Sequence, residues 1–192
     1  MVNPTSSRIQ AVQTARQVLQ AKPVFLDTET TGLGNTDEII EIAIVDVEMN
    51  ILVDSFVKPS KANQPIPAAS TAIHHITDDM VQSAPAWPIL WSQIRTYLVG
   101  KVIVAYNSDF DMRLMRQSHT QHGFTLKDPL QPYDLMKLYA QFHGVWDSNR
   151  RSWKNFTLDE AGKTSGISLP NAHRSLADTL LARELLIFIA NQ

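Results

Sequence analysis

The chain predicts an α/β fold, on three observations. Apolar runs of strand length, at residues 24–26, 39–47, 51–57 and 101–106, are interspersed with segments of helical spacing. Two of those runs are joined by Glu48-Met49-Asn50, which reads as a hairpin turn. The length of 192 residues suits one domain with enough chain for a real core.

The elements follow in order. Residues 9–19 have helical spacing and lead through Pro23 into the apolar run Val24-Phe25-Leu26, a short buried strand. The hairpin of residues 39–57 comes next, then a loop over residues 59–67. Thr77 is placed to cap a short helix beginning Asp78-Asp79. Pro88 opens another helix, which carries Leu90, Ile94 and Leu98 on one side and stops at Gly100. A strand at 101–106 precedes a helix over about 108–121. Thr157-Leu158-Asp159-Glu160 has the capping-box pattern. Ser175 reads as the cap of a last helix, lined by Ala177, Leu180, Leu181 and Leu185 and running to the end. Residues 144–154 are the one candidate flexible stretch. There Arg150, Arg151 and Lys154 offer charge and Trp146 and Trp153 offer stacking to a nucleic acid; the plainer reading packs the tryptophans inward and leaves the arginines solvated. The expected division is a helical extension over 1–22 and a catalytic domain over 23–192.

Composition narrows the function. Hydrophobic residues at 44% and charged residues at 19% describe a globular chain rather than a disordered one. Without cysteine there is neither a disulfide framework nor a thiolate metal site. The polar opening MVNPTSSRIQ is no signal peptide and no apolar run is long enough to span a bilayer, so a cytoplasmic location without a membrane partner is expected. A net charge of −2 argues against bulk attraction to nucleic acid, but bound cations would reverse the local potential.

Three segments carry the chemistry: Asp27-Thr28-Glu29, Asn107-Ser108-Asp109-Phe110-Asp111, and His173 with Asp178. Acid pairs two residues apart are weak signals alone: the chain has three, at 27/29, 46/48 and 109/111, where composition gives roughly two by chance. The first pair is distinguished by its setting. The acids begin where a buried run stops, alternate strand residues point the same way, and Thr30-Thr31-Gly32-Leu33-Gly34 follows with hydroxyls and pliable backbone. In the second segment, a helix starting near Ser108 turns Asp109 and Asp111 about 200° apart, and spacing does not choose between them. Taken alone, His173 and Asp178 read as a surface histidine beside an aspartate in a first helical turn. Brought together, four carboxylates from these segments would hold two hard divalent cations, with a histidine beside them to deprotonate a water.

The three segments in this order resemble the exonuclease motifs of the DEDD superfamily, histidine type, the group that includes the proofreading epsilon subunit of bacterial replicative DNA polymerase. The likeness covers DTETTGL, the N-x-x-F-D ending at Asp111, H-x-x-x-x-D from His173 to Asp178, and Ile73-His74-His75-Ile76-Thr77, similar to the family's H-G-I-T element. The resemblance implies a ribonuclease-H-like fold, a mixed β-sheet flanked by helices. It also implies a 3′-5′ exonuclease that releases nucleoside 5′-monophosphates using two divalent ions, Mg2+ or Mn2+. Asp27, Glu29, Asp111 and Asp178 are then the metal-binding acids and His173 the general base. Thr30, Thr31, Gly32, Leu33, His74, Ile76, Tyr106, Asn107 and Phe110 would contact the substrate. The expected partner is a nucleic acid 3′ end, with single-stranded DNA favoured; RNA trimming and a polymerase-associated proofreading role are the alternatives. A binding module that has lost activity would lack one or more ligands, and here all are present. Two departures stand out: Tyr106 occupies a position where many relatives have histidine, and His75 replaces the glycine of H-G-I-T, where it would narrow or stack on the nucleotide pocket. The chain ends at Gln192, directly after the catalytic helix, so a polymerase partner docked through a C-terminal tail is not expected.

Overall fold

The computed structural model describes residues 4–60, 64–167 and 173–192. Residues 1–3 of the expected extension, 61–63 of the expected loop and Ala172 of the third motif lie outside them.

A five-stranded mixed sheet in the order β3-β2-β1-β4-β5 organises these residues. Strand β1 (Val24–Thr30) is central, antiparallel to β2 (Ile39–Asp46) and parallel to β4 (Val102–Ala105). Strand β3 (Ile51–Phe56) closes one edge through the expected hairpin, and β5 (Gln131–Asp134) closes the other, parallel to β4. Asp46, at the end of β2, stabilises the hairpin turn by accepting from the backbone and side-chain nitrogens of Asn50, both at 2.8 Å. This is the α/β, mixed-sheet architecture that the sequence predicts.

Alternation along β1 divides the core. Phe25 faces a cluster built from α1 (Pro4–Gln20), α6 (Leu135–His143), α7 (Leu158–Thr164) and α8 (Ser175–Ala190). Val24 and Leu26 face the opposite cluster, built from α4 (Trp87–Leu98) and α5 (Ser108–Gln121). Helix α1 places Ala11, Val12, Ala15 and Val18 in the same cluster as α8, and Arg16 donates to the Ala190 carbonyl at 2.7 Å. The first helix therefore shares the core of the rest.

Several local expectations need correcting. Residues 144–154 form a β-hairpin, β6 (Trp146–Asp147) against β7 (Ser152–Trp153), in which the two tryptophans meet edge to face at 5.2 Å. Asp147 closes its turn by accepting from the backbone of Asn149 and Arg150. Thr77 precedes α3 (Asp78–Val81) without a side-chain cap bond, and Asp78 instead accepts from the Ile66 backbone. Ser175 is the first residue of α8 and not its cap; Arg174 holds the cap position. The capping box of Thr157 and Glu160 is formed as read.

Helix α2 (Ala68–His74) ends at His75, which has φ +61° and donates its backbone N–H to the Thr71 carbonyl. That left-handed conformation suits glycine and strains a residue bearing a Cβ by roughly 1–2 kcal/mol. The glycine of H-G-I-T thus has a backbone reason, and His75 departs from it at a cost. Replacing His75 by glycine should stabilise the folded chain by about 0.5–1 kcal/mol, the strain relieved less the added chain entropy. Urea denaturation checks this, and a glycine variant less stable than the parent would contradict it.

Candidate active site

The acids gather at the C-terminal end of β1, and the two faces of that strand decide which neighbour each one meets. Asp27 and Glu29 share the face of Phe25, the face that α8 covers. Asp178 projects from the first turn of α8, and ligand oxygens of Asp27, Glu29 and Asp178 all lie within 4.8 Å of one another. This is the grouping of metal-ligand type found among the described residues. Thr28 points the other way, towards α5, and its hydroxyl donates to Asp111 Oδ1 at 2.8 Å. Asp111 is buried in the first turn of α5 and stands among the charges acting on Asp27.

The neighbouring aspartate has a different fate. Asp109 has a side chain 79% exposed and pairs with Lys137 at 2.9 Å. Asp111 turns inward and Asp109 outward.

Burial raises the proton affinity of every acid in the group, and neighbouring charges add to it. Burial, then the charges of Asp111, Asp178, Glu29 and Glu41, holds the Asp27 carboxyl well above the usual range. Burial, followed by Asp178 and Glu41, pushes Glu29 up to about 8. Burial pushes Asp111 up to about 7, although the Thr28 hydroxyl pulls the other way. Asp178 is raised by burial and eased downward by His173. These are oxygen donors, a set that fits hard divalent ions.

His173 stands at the rim. It is exposed, adopts φ +66°, and its backbone N–H donates to Asp178 Oδ2 at 3.3 Å. The loop after β1 is more fixed than its glycines imply. Asp37 accepts from the Thr31 hydroxyl at 2.8 Å and the Gly34 N–H at 2.6 Å, and its carboxylate fills the space where a Cβ on Gly32 would sit. Thr30 donates its hydroxyl to the Gly32 carbonyl, so both threonine hydroxyls are engaged inside the loop. Leu33 at its tip is 77% exposed.

The remaining candidates divide. His74 is buried; its Nδ1 accepts from the Ile76 N–H at 3.0 Å, which places the ring proton on Nε2, and the Thr30 backbone lies beside the ring. Burial lowers the affinity of this ring for a second proton. The Ile76 side chain is wholly buried, so what it offers the site is the backbone N–H that orients His74. Asn107 is exposed with φ +70°, and Phe110 is half-buried beneath the Arg113 guanidinium. Tyr106 directs its hydroxyl to the Phe156 carbonyl at 2.9 Å, towards α7.

Comparison with known proteins agrees with this arrangement. The family model for RNase T-type exonucleases matches residues 24–186. The chain belongs to that exonuclease family. Among its relatives is the uncharacterized exonuclease CP81 of Escherichia phage 186, 38% identical over 174 residues that cover 86% of this chain and 87% of that protein. A DNA polymerase III subunit epsilon-like protein of Rhodobacter capsulatus is 34% identical, matching 85% of this chain but 23% of its own length. Among solved structures, exonuclease X in complex with 5′ overhanging duplex DNA superposes with a TM-score of 0.65 at 28% identity, covering 88% of this chain and 90% of that one. The mixed sheet and flanking helices are those of this ribonuclease-H-like exonuclease group. Among the described residues, no helix is long and apolar enough to cross a membrane.

Sequence reasoning passed over one buried acid at this exonuclease site. Glu41 lies directly across from Glu29 in the β1–β2 register and is almost fully buried. Its signal was present: an acid inside the otherwise apolar run I-I-E-I-A-I-V.

The raised carboxyls give a pH dependence of stability in the absence of divalent ions. A carboxyl with its folded pKa above the unfolded value takes up protons on folding. Its contribution is complete below the unfolded value and is lost as pH rises through the folded one. For Glu29 that window runs from 4.5 to about 8. In excess chelator the thermal midpoint should therefore fall across that window, and Glu29→Gln should flatten the fall. Parallel curves for parent and variant would contradict it.

Proposed function

We propose that the chain is a metal-dependent 3′-5′ exonuclease that removes nucleoside 5′-monophosphates from nucleic acid 3′ ends, with single-stranded DNA the favoured substrate. The observation that carries this reading is the meeting of Asp27, Glu29 and Asp178 within 4.8 Å, with Asp111, held by Thr28, among the charges that act on Asp27. Family membership supports exonuclease chemistry, and the likeness to a DNA-bound exonuclease X supports DNA.

The residues divide the work. Asp27, Glu29, Asp111 and Asp178 would hold two divalent ions, Mg2+ or Mn2+, which when bound supply Lewis-acid stabilisation of the phosphate and a more acidic attacking water. Thr28 fixes the rotation of Asp111 through its hydroxyl. His173, on exposed backbone beside Asp178, would accept the proton of the attacking water. By the resemblance His74, its ring oriented by the Ile76 N–H, is a contact to the terminal nucleotide. Leu33, held out by the Asp37-tied loop, offers an apolar surface for an unpaired base.

End-labelled single-stranded DNA, duplex DNA and RNA oligomers, each with Mg2+, Mn2+ or chelator, test the proposal. Stepwise shortening from the 3′ end should occur with either cation and cease in chelator. Asp111→Asn should lose activity on the order of a hundredfold or more, while Asp109→Asn keeps most of it. Release from the 5′ end, or undiminished hydrolysis in chelator, would reject the proposal.

His173→Ala should lower the rate by about a hundred- to ten-thousand-fold, with metal affinity nearly unchanged. At saturating metal, the parent's rate should fall on the acidic side and the variant's residual rate should lose that limb. A variant that keeps both rate and limb would show that another group is the base.

A further inference from the structure

Glu41 has no part in the chemistry described above, yet it is buried beside Glu29. A free carboxylate there would be a fifth ligand competing for cations. Both of its oxygens are instead engaged. Arg174 Nε donates to Oε1 at 3.1 Å and to Oε2 at 3.2 Å, and Arg174 Nη2 also bonds Oε1. The backbone N–H of Ser175 donates to Oε2 at 2.9 Å. The Arg174 guanidinium in turn rests over the Phe56 ring at 5.3 Å, which sets its plane.

These contacts span two parts of the chain that catalysis must join. Glu41 belongs to β2 and is registered against Glu29. Arg174 and Ser175 lie between His173 and Asp178, at the start of α8. Helix α8 has no side-chain cap of its own, so an acid from β2 satisfies its first N–H and meets the positive end of its dipole. Asp178 sits one turn further on, and its own backbone N–H bonds the Arg174 carbonyl at 3.0 Å.

We propose that Glu41 and Arg174 are positioning residues: their ion pair clamps the start of α8 to β2, sets Asp178 and His173 against Asp27 and Glu29, and keeps Glu41 out of the ligand set. The inference rests on the metal-site reading above. A planar guanidinium holding two oxygens cannot be replaced by a lysine, which offers a point charge. Partners that orient ligands in this way are typically worth roughly 10- to 100-fold in metal affinity or activity.

The test compares the parent with Glu41→Gln, Arg174→Lys and Arg174→Ala. Mn2+ affinity is measured by calorimetry without substrate, and hydrogen exchange over residues 174–180 is followed in metal-free protein. Turnover and KM are measured on a single-stranded DNA oligomer. Glu41→Gln should bind Mn2+ about tenfold or more weakly and exchange the first-turn amides about tenfold faster, with turnover lowered and KM little changed. Arg174→Lys should fall between the parent and Arg174→Ala. Should Glu41→Gln fail to fold, the half-exposed Arg174 variants carry the test alone. A folded variant with parental Mn2+ affinity and parental exchange overturns the clamp while leaving the metal site intact. A parent that binds no Mn2+ overturns the metal site and the clamp with it.

Discussion

Negative charge is forced together around the end of β1, and most features of the site follow from that constraint. Burial weighs most on Asp27, and four other carboxyls add their repulsion. A cluster of this kind does not hold itself together; the rest of the fold must hold it. The sheet supplies Asp27 and Glu29 on one face of a central strand, where alternation fixes their common direction. Two helices supply the others from their first turns, Asp111 on α5 and Asp178 on α8, where the helix dipole favours an anion. With the backbone placing every member, the acids are ready for cations before any cation arrives.

The surrounding hydrogen bonds have the same logic of fixing what would otherwise move apart. Thr28 orients Asp111 across the strand, and Asp37 folds the glycine-bearing loop back on itself. Arg174 absorbs Glu41 and places it beneath the start of α8. Ile76 fixes the rotation of the buried His74 ring through its backbone N–H. Each fixes a residue of a loop or helix end by directional hydrogen bonds.

Much of this was legible in the sequence, and the exceptions have physical causes. The central strand, the hairpin, helices α4, α5, α7 and α8 and the acid-bearing segments announce themselves by apolar periodicity, turn residues and caps. Helix α6 was missed although Leu135, Leu138, Tyr139 and Phe142 have helical spacing, Asp134 caps it and Gly144 ends it. Its strand, β5, is disguised by Pro132, which an edge strand tolerates and a central one would not. Residues 144–154 read as flexible because a hairpin with two-residue strands has too little period to detect. The choice of Asp111 over Asp109 was open to spacing, since only tertiary contacts, with Thr28 and with Lys137, tell the two apart. Glu41 went unread because its meaning lies in a partner 133 residues away.

The central claim is that these carboxyls are held together by the protein and retain protons that a cation must displace. The direct measurement is calorimetric titration of Mg2+ or Mn2+ into the metal-free chain near pH 7, in buffers of different ionisation enthalpy, which counts the protons released. With Glu29 near 8 and Asp111 near 7, binding should release a substantial fraction of a proton or more per chain, declining as pH rises well above 8. Binding with no proton release at any pH between 6 and 8, or no binding at all, would contradict the account.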